Sequence, residues 1–140
     1  FYQAKYIFTT CVKDNPRNPE YRFLLGNYLF NLGSYEKAID SYSTALSIDS
    51  SHCSARKMRA YCFDIIGDVD KALEDYIIEL ELNKHELWLI KRICDIYIIN
   101  RKLIEAMTQL KIAICIDRFN SSSKQIMLVV KKIHELVADN

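Results

Sequence analysis

The side chains best suited to chemistry are five cysteines, three histidines and one acid in an unexpected slot. Cys11, Cys53, Cys62, Cys94 and Cys115 are odd in number and widely spread, with no Cys-x-x-Cys pair and no histidine at metal-ligand spacing. That pattern argues against a disulfide framework or a zinc site. It predicts reduced packing residues at Cys94 and Cys115 and thiols of ordinary reactivity elsewhere. His52 and His85 fall between apolar segments and His134 lies near the end of the chain. Each reads as a surface residue rather than a general base. Glycine-rich phosphate loops, Gly-x-Ser-x-Gly and His-Glu-x-x-His are all missing from the sequence. Catalysis needs a nucleophile, a base or a metal held in a constellation, and none can be assembled here. No catalytic residue, metal ligand or cofactor is therefore assigned.

The remaining residues must act by shape. The chain has 140 residues, half of them hydrophobic, with 19 Lys+Arg against 18 Asp+Glu. A net charge of +1 removes the basic excess on which phosphate-backbone binding depends, so nucleic acid is excluded as a first reading. Apolar runs such as Ile126 to Val130 fall far short of the ~20 residues of a membrane-spanning helix. Three glycines, two prolines and no Asn-Gly or Asp-Gly pair leave β-hairpins without their turn chemistry, so helix is favoured throughout. The chain opens on Phe1 without a signal-peptide pattern, which leads us to expect a segment of a longer protein.

A 34-residue recurrence runs through the sequence. Gly26, Ala60 and Cys94 are spaced at that step, as are Ala4, Ala38, Ala72 and Ala106. Four residues after each of these alanines stands a large apolar residue: Phe8, Tyr42, Tyr76 and Leu110. Each unit reads as two amphipathic helices, with Tyr21, Leu25, Tyr28 and Leu29 on the first and Ile39, Tyr42 and Leu46 on the second. Small residues mark where the helices approach closely and large ones fill the space between. Gly33-Ser34, Gly67-Asp68 and Arg101-Lys102 are the short polar breaks that fold each pair back on itself.

The pattern resembles the tetratricopeptide repeat, carried best by Leu25, Gly26, Ala38, Tyr42 and Ala45. The resemblance implies an all-α, right-handed helical-repeat solenoid of antiparallel helix pairs. It divides the chain into the second helix of a truncated repeat at 1–18, repeats at 19–52, 53–86 and 87–120, and a C-terminal capping helix at 121–140. That last helix gathers Ile126, Val129, Val130, Ile133, Leu136 and Val137 on one stripe opposite Lys124, Lys131, Lys132 and Glu135. Two departures stand out. The helix-ending proline survives only as Pro16, and Glu79 occupies the small-residue slot filled elsewhere by Cys11, Ala45 and Ala113. A carboxylate there is expected to reach solvent or a basic neighbour such as Arg92.

In that family the first helix of each repeat lines a concave groove. Carried over position by position, the groove falls on Phe23, Asn27 and Phe30, then Lys57 and Tyr61, then Trp88, Lys91 and Arg92. The resemblance thus implies a non-enzymatic, intracellular adaptor that binds a peptide or partner helix and resides in the cytoplasm. Of the residues that clamp chaperone C-termini in one subclass, only Asn27 and Arg92 are matched. Alternative roles are a structural segment that self-associates within a longer array, or a regulatory module attached to an enzyme domain outside these residues. If the register is right, Ala72→Trp overpacks a helix crossing and lowers stability by ~1–3 kcal/mol in thermal unfolding.

Overall fold

Helix starts and stops follow from local chemistry. The computed structural model describes residues 2–83, 86–102, 104–109 and 123–139. Among them every regular element is helical: α1 (Tyr2–Asp14), α2 (Pro19–Asn31), α3 (Tyr35–Ile48), α4 (Cys53–Ile66), α5 (Val69–Leu82), α6 (Leu87–Ile99), a helical stretch at 104–109 and α7 (Ser123–Ala138). At the start of α2 the Asn18 side chain accepts from the Glu20 amide at 3.0 Å, and Pro19 takes the first turn, where its missing N–H costs nothing. His52 caps α4 by accepting the Ala55 amide on Nδ1 at 3.2 Å.

The helices end by one device repeated at the 34-residue step. Ser34, Asp68 and Lys102 donate their amides to the carbonyls of Leu29, Phe63 and Tyr97 at 3.0, 2.9 and 2.8 Å. The residue before each has a left-handed backbone: Gly33 (φ 72°), Gly67 (φ 84°) and Arg101 (φ 56°). This geometry satisfies the orphan carbonyls of the last helical turn. Glycine adopts it freely, whereas Arg101 does so against its Cβ.

The chain divides into two compact units, Phe1–Glu79 and Leu80–Asn140. In the first, α2 packs against α1, α3 and α4, which explains why its apolar residues are spread around its circumference. Its core is Ala38, Tyr42, Ala45, Leu46, Ala55 and Cys62, with Phe23, Leu29 and Phe30 packed on it. The α2–α3 crossing is tight. A Cβ added to Gly26 would lie 2.7 Å from Tyr42 Cδ1, 2.9 Å from Cζ and closer still to Cε1, so only glycine fits beneath that ring.

The second unit gathers Ile90, Cys94, Ala106 and Ile133 around Leu80, Tyr97 and Ile98. Ile133 on α7 is thereby buried as the sequence stripe requires. Val137, expected on the same stripe, is instead exposed. Ile126, Val129, Val130, Leu110, Ala113 and Cys115 lie outside the described side chains. No described helix is long and apolar enough to cross a membrane. Arg101→Gly relieves the strained turn without removing a buried group, and is expected to raise stability by about 1 kcal/mol in chemical denaturation.

Candidate functional site

The groove residues named from sequence fall in both units. Phe23, Asn27, Phe30, Lys57 and Tyr61 belong to the first unit, and Trp88, Lys91 and Arg92 to the second. Within the first, α2 and α4 lie side by side and bring two of these residues together. The rings of Phe30 and Tyr61 pack at 5.7 Å between centroids, and Phe30 also meets Tyr35 edge-on at 5.5 Å. Tyr61 keeps 49% of its surface exposed, so this aromatic pair has a half-buried member and a presented one.

Phe23 is half-buried, its ring 5.0 Å from that of His52 and 6.0 Å from that of Tyr42. Asn27, also half-buried, accepts the Tyr42 hydroxyl on Oδ1 at 2.8 Å. In the second unit Trp88 exposes 50% of its surface at the start of α6. Lys91 and Arg92, one turn further on, are partly buried.

Electrostatics departs from the sequence expectation at His52 and Cys62 and meets it at Glu79, which is fully buried and takes basic neighbours in place of solvent. Arg56 Nη1 lies 3.4 Å from its Oε2, and Lys57 Nζ lies 3.7 Å from its Oε1. Arg56 in turn donates to the Ser50 carbonyl. A buried carboxylate needs such partners, since desolvation alone costs several kcal/mol. Lys57 is consequently held between the surface and a buried acid. Beside this cluster Arg59 grips Asp75 with Nε and Nη2 at 2.8 and 2.7 Å and Ser43 Oγ with Nη1 at 3.1 Å.

His52, expected at the surface, is only 12% exposed at its side chain and places Nε2 3.3 Å from Glu20, because capping α4 draws the ring inward over Phe23. His85 lies outside the described residues, and His134 is exposed. Cys62 departs from the ordinary reactivity expected of it. Burial pushes its thiol up to about 11, so it stays protonated at neutral pH. Burial, with the charge of Asp95, pushes Cys94 up to about 12, as befits a packing residue. Among the described residues no group of three His, Cys, Asp or Glu side chains could hold a metal ion.

Comparison with known proteins agrees with the fold. Residues 19–52 match the family model of the tetratricopeptide repeat. No curated protein matches in sequence. The fold is similar to a tetratricopeptide repeat protein from Parabacteroides merdae (TM-score 0.83, 21% identity), covering 96% of this chain and 53% of that one. This chain thus spans about half the length of that relative. It is also similar to the first such domain of Spaghetti (RPAP3) bound to the HSP90 peptide SRMEEVD (TM-score 0.69, 21% identity, 86% of this chain and 94% of that one). A third likeness is to the TPR2B domain of yeast Sti1 in a pHsp70 complex (TM-score 0.68, 18% identity, 85% of this chain and 98% of that one). At these identities the likeness is one of fold.

Because Arg56 loses its buried counter-charge, Glu79→Gln is expected to lower stability by about 3 kcal/mol. The denaturant midpoint should fall with an unchanged slope.

Proposed function

Because residues 19–52 match the family model of the tetratricopeptide repeat and the fold is similar to that of such proteins, we propose that the chain is a non-enzymatic interaction scaffold that takes a peptide or partner helix on its repeats' first helices. One observation carries this reading. Phe30 and Tyr61 stand on consecutive first helices, α2 and α4, and form a shared aromatic surface with the Tyr61 ring half exposed. Trp88, Lys91 and Arg92 supply a second set on α6, an exposed indole followed by two cations. Aromatic and arginine side chains dominate binding energy at protein interfaces, while lysine mainly steers approach.

The partner that suits these groups is an extended or helical peptide with apolar anchors and acidic character. Two proteins of similar fold are known with chaperone ligands. Here Phe23, Met58 and Trp88 stand where that clamp subclass places other residues, which favours a partner other than a chaperone tail. A reducing compartment such as the cytoplasm suits the free cysteines.

Lys57 is a poor choice for charge reversal, since a glutamate there would face buried Glu79. The test is affinity capture from a cell extract with the wild type beside a Tyr61→Ala, Lys91→Glu, Arg92→Glu variant of equal helicity. Partners should be held by the wild type and lost by the variant, and their binding should weaken as salt rises. Equal capture by both proteins overturns the groove reading. Concentration-dependent oligomers with nothing captured favour self-association instead.

A further inference from the structure

Tyrosines in the large slot of the helix crossing reach beyond the core they fill. Tyr42 is fully buried with its ring over Gly26, yet its hydroxyl meets Oδ1 of half-buried Asn27 at 2.8 Å. One repeat step later the Tyr76 hydroxyl stands 3.5 Å from Oδ2 of Asp64, another first-helix residue. Phe8, in the same slot of α1, has no hydroxyl to offer. Two successive slot tyrosines thus connect the crossing to polar residues on the first helices.

At Asn27 this contact has a directional consequence. A primary amide carries one carbonyl acceptor and two N–H donors, and its two ends differ little in shape. Burial, with the nearby Cys62, holds the Tyr42 hydroxyl's pKa far above the ordinary tyrosine value, so it remains a proton donor across the physiological range. Flipping the amide would turn Nδ2 toward that hydroxyl and leave a buried O–H without the acceptor it has now, which is costly. The hydroxyl therefore selects one of the two amide orientations.

We propose that Tyr42 is a positioning residue, its hydroxyl locking Asn27 so that Nδ2 offers its donors to a carbonyl or carboxylate oxygen of a bound peptide. The assignment rests on reading the first-helix face as a peptide surface. Asn27 already belongs to that surface, and what is added is the hydroxyl that fixes its amide.

Tyr42→Phe keeps the ring and removes only the hydroxyl, and Asn27→Asp keeps the acceptor for Tyr42 while removing both donors. The probe is N-acetylated hexaglutamate, titrated into the uniformly 15N-labelled 140-residue chain while the Asn27 side-chain amide and the backbone amides of Lys57 and Tyr61 are followed. In the wild type the Asn27 amide pair should be distinct from that of an exposed asparagine and should shift on titration. In Tyr42→Phe it should collapse toward the exposed position, and affinity should fall roughly fivefold, the scale of one net hydrogen bond. Asn27→Asp should lose at least as much affinity with an unchanged melting temperature, which guards against a Tyr42→Phe chain that folds poorly. In an Asn27→Ala background, Tyr42→Phe should cost no further affinity.

A lower melting temperature with the Asn27 resonances and affinity unchanged would mean a purely structural hydroxyl and overturn the proposal. Shifts at Lys57 and Tyr61 without Asn27 leave the groove reading standing and overturn the donor role. An unresponsive wild type overturns both.

Discussion

Two arginines on one helix hold the first unit's later helices in place. Arg56 and Arg59 lie one turn apart on α4, and each grips an acid on α5 that is almost wholly out of water, Glu79 and Asp75. Each also reaches toward α3, Arg56 through the Ser50 carbonyl just beyond its end and Arg59 through Ser43 Oγ. Three helices are thereby fixed in register by groups that cannot be left unpaired without a penalty of several kcal/mol. Apolar packing tolerates sliding and repacking, whereas a buried ion pair does so far less, least of all the bidentate Arg59–Asp75 pair. The Phe30–Tyr61 pair depends on where α4 sits against α2, so the proposed recognition surface inherits its geometry in part from this buried clasp.

The earlier crossing solves the same problem without charge. Between α2 and α3 the close approach depends on Gly26, whose missing Cβ leaves room for the Tyr42 ring, with Ala38 and Ala45 buried in the same cluster. Where α4 and α5 meet, a carboxylate stands in the slot that Ala45 fills one step before, and the arginine partners follow from it. Ala60, Ala72 and Tyr76, one repeat step after Gly26, Ala38 and Tyr42, are buried as well, so the ion pair is added to small-residue packing at a single slot and does not replace it. The ionic contact engages Lys57 as well, which lies 3.7 Å from Glu79.

Much of the fold was legible in residue types and spacing. The 34-residue recurrence located the helix pairs, the close crossings and the turns at Gly33, Gly67 and Arg101, because helix periodicity and capping are local properties that a few residues encode. At the candidate site the sequence pointed to Phe30 and Tyr61, and the structure pairs them. It foresaw that Glu79 needs solvent or a basic neighbour without naming Arg56 and Lys57, and it misjudged His52 and Cys62. Those two were read from their own residue type, whereas their behaviour is decided by neighbours far along the chain, or by a capping role that turns the side chain inward.

The sequence by itself determined that this is an all-helical repeat chain with glycine or alanine at the crossings, because a fixed spacing of small and large residues permits few other packings. Tertiary structure decided which polar groups are buried and with whom they pair: Glu79 with Arg56 and Lys57, Asp75 with Arg59, Asn27 with Tyr42. The physical reason is that desolvation and hydrogen-bond geometry depend on angstrom-scale distances between segments far apart in the chain. A repeat pattern constrains those distances only to the width of a side chain.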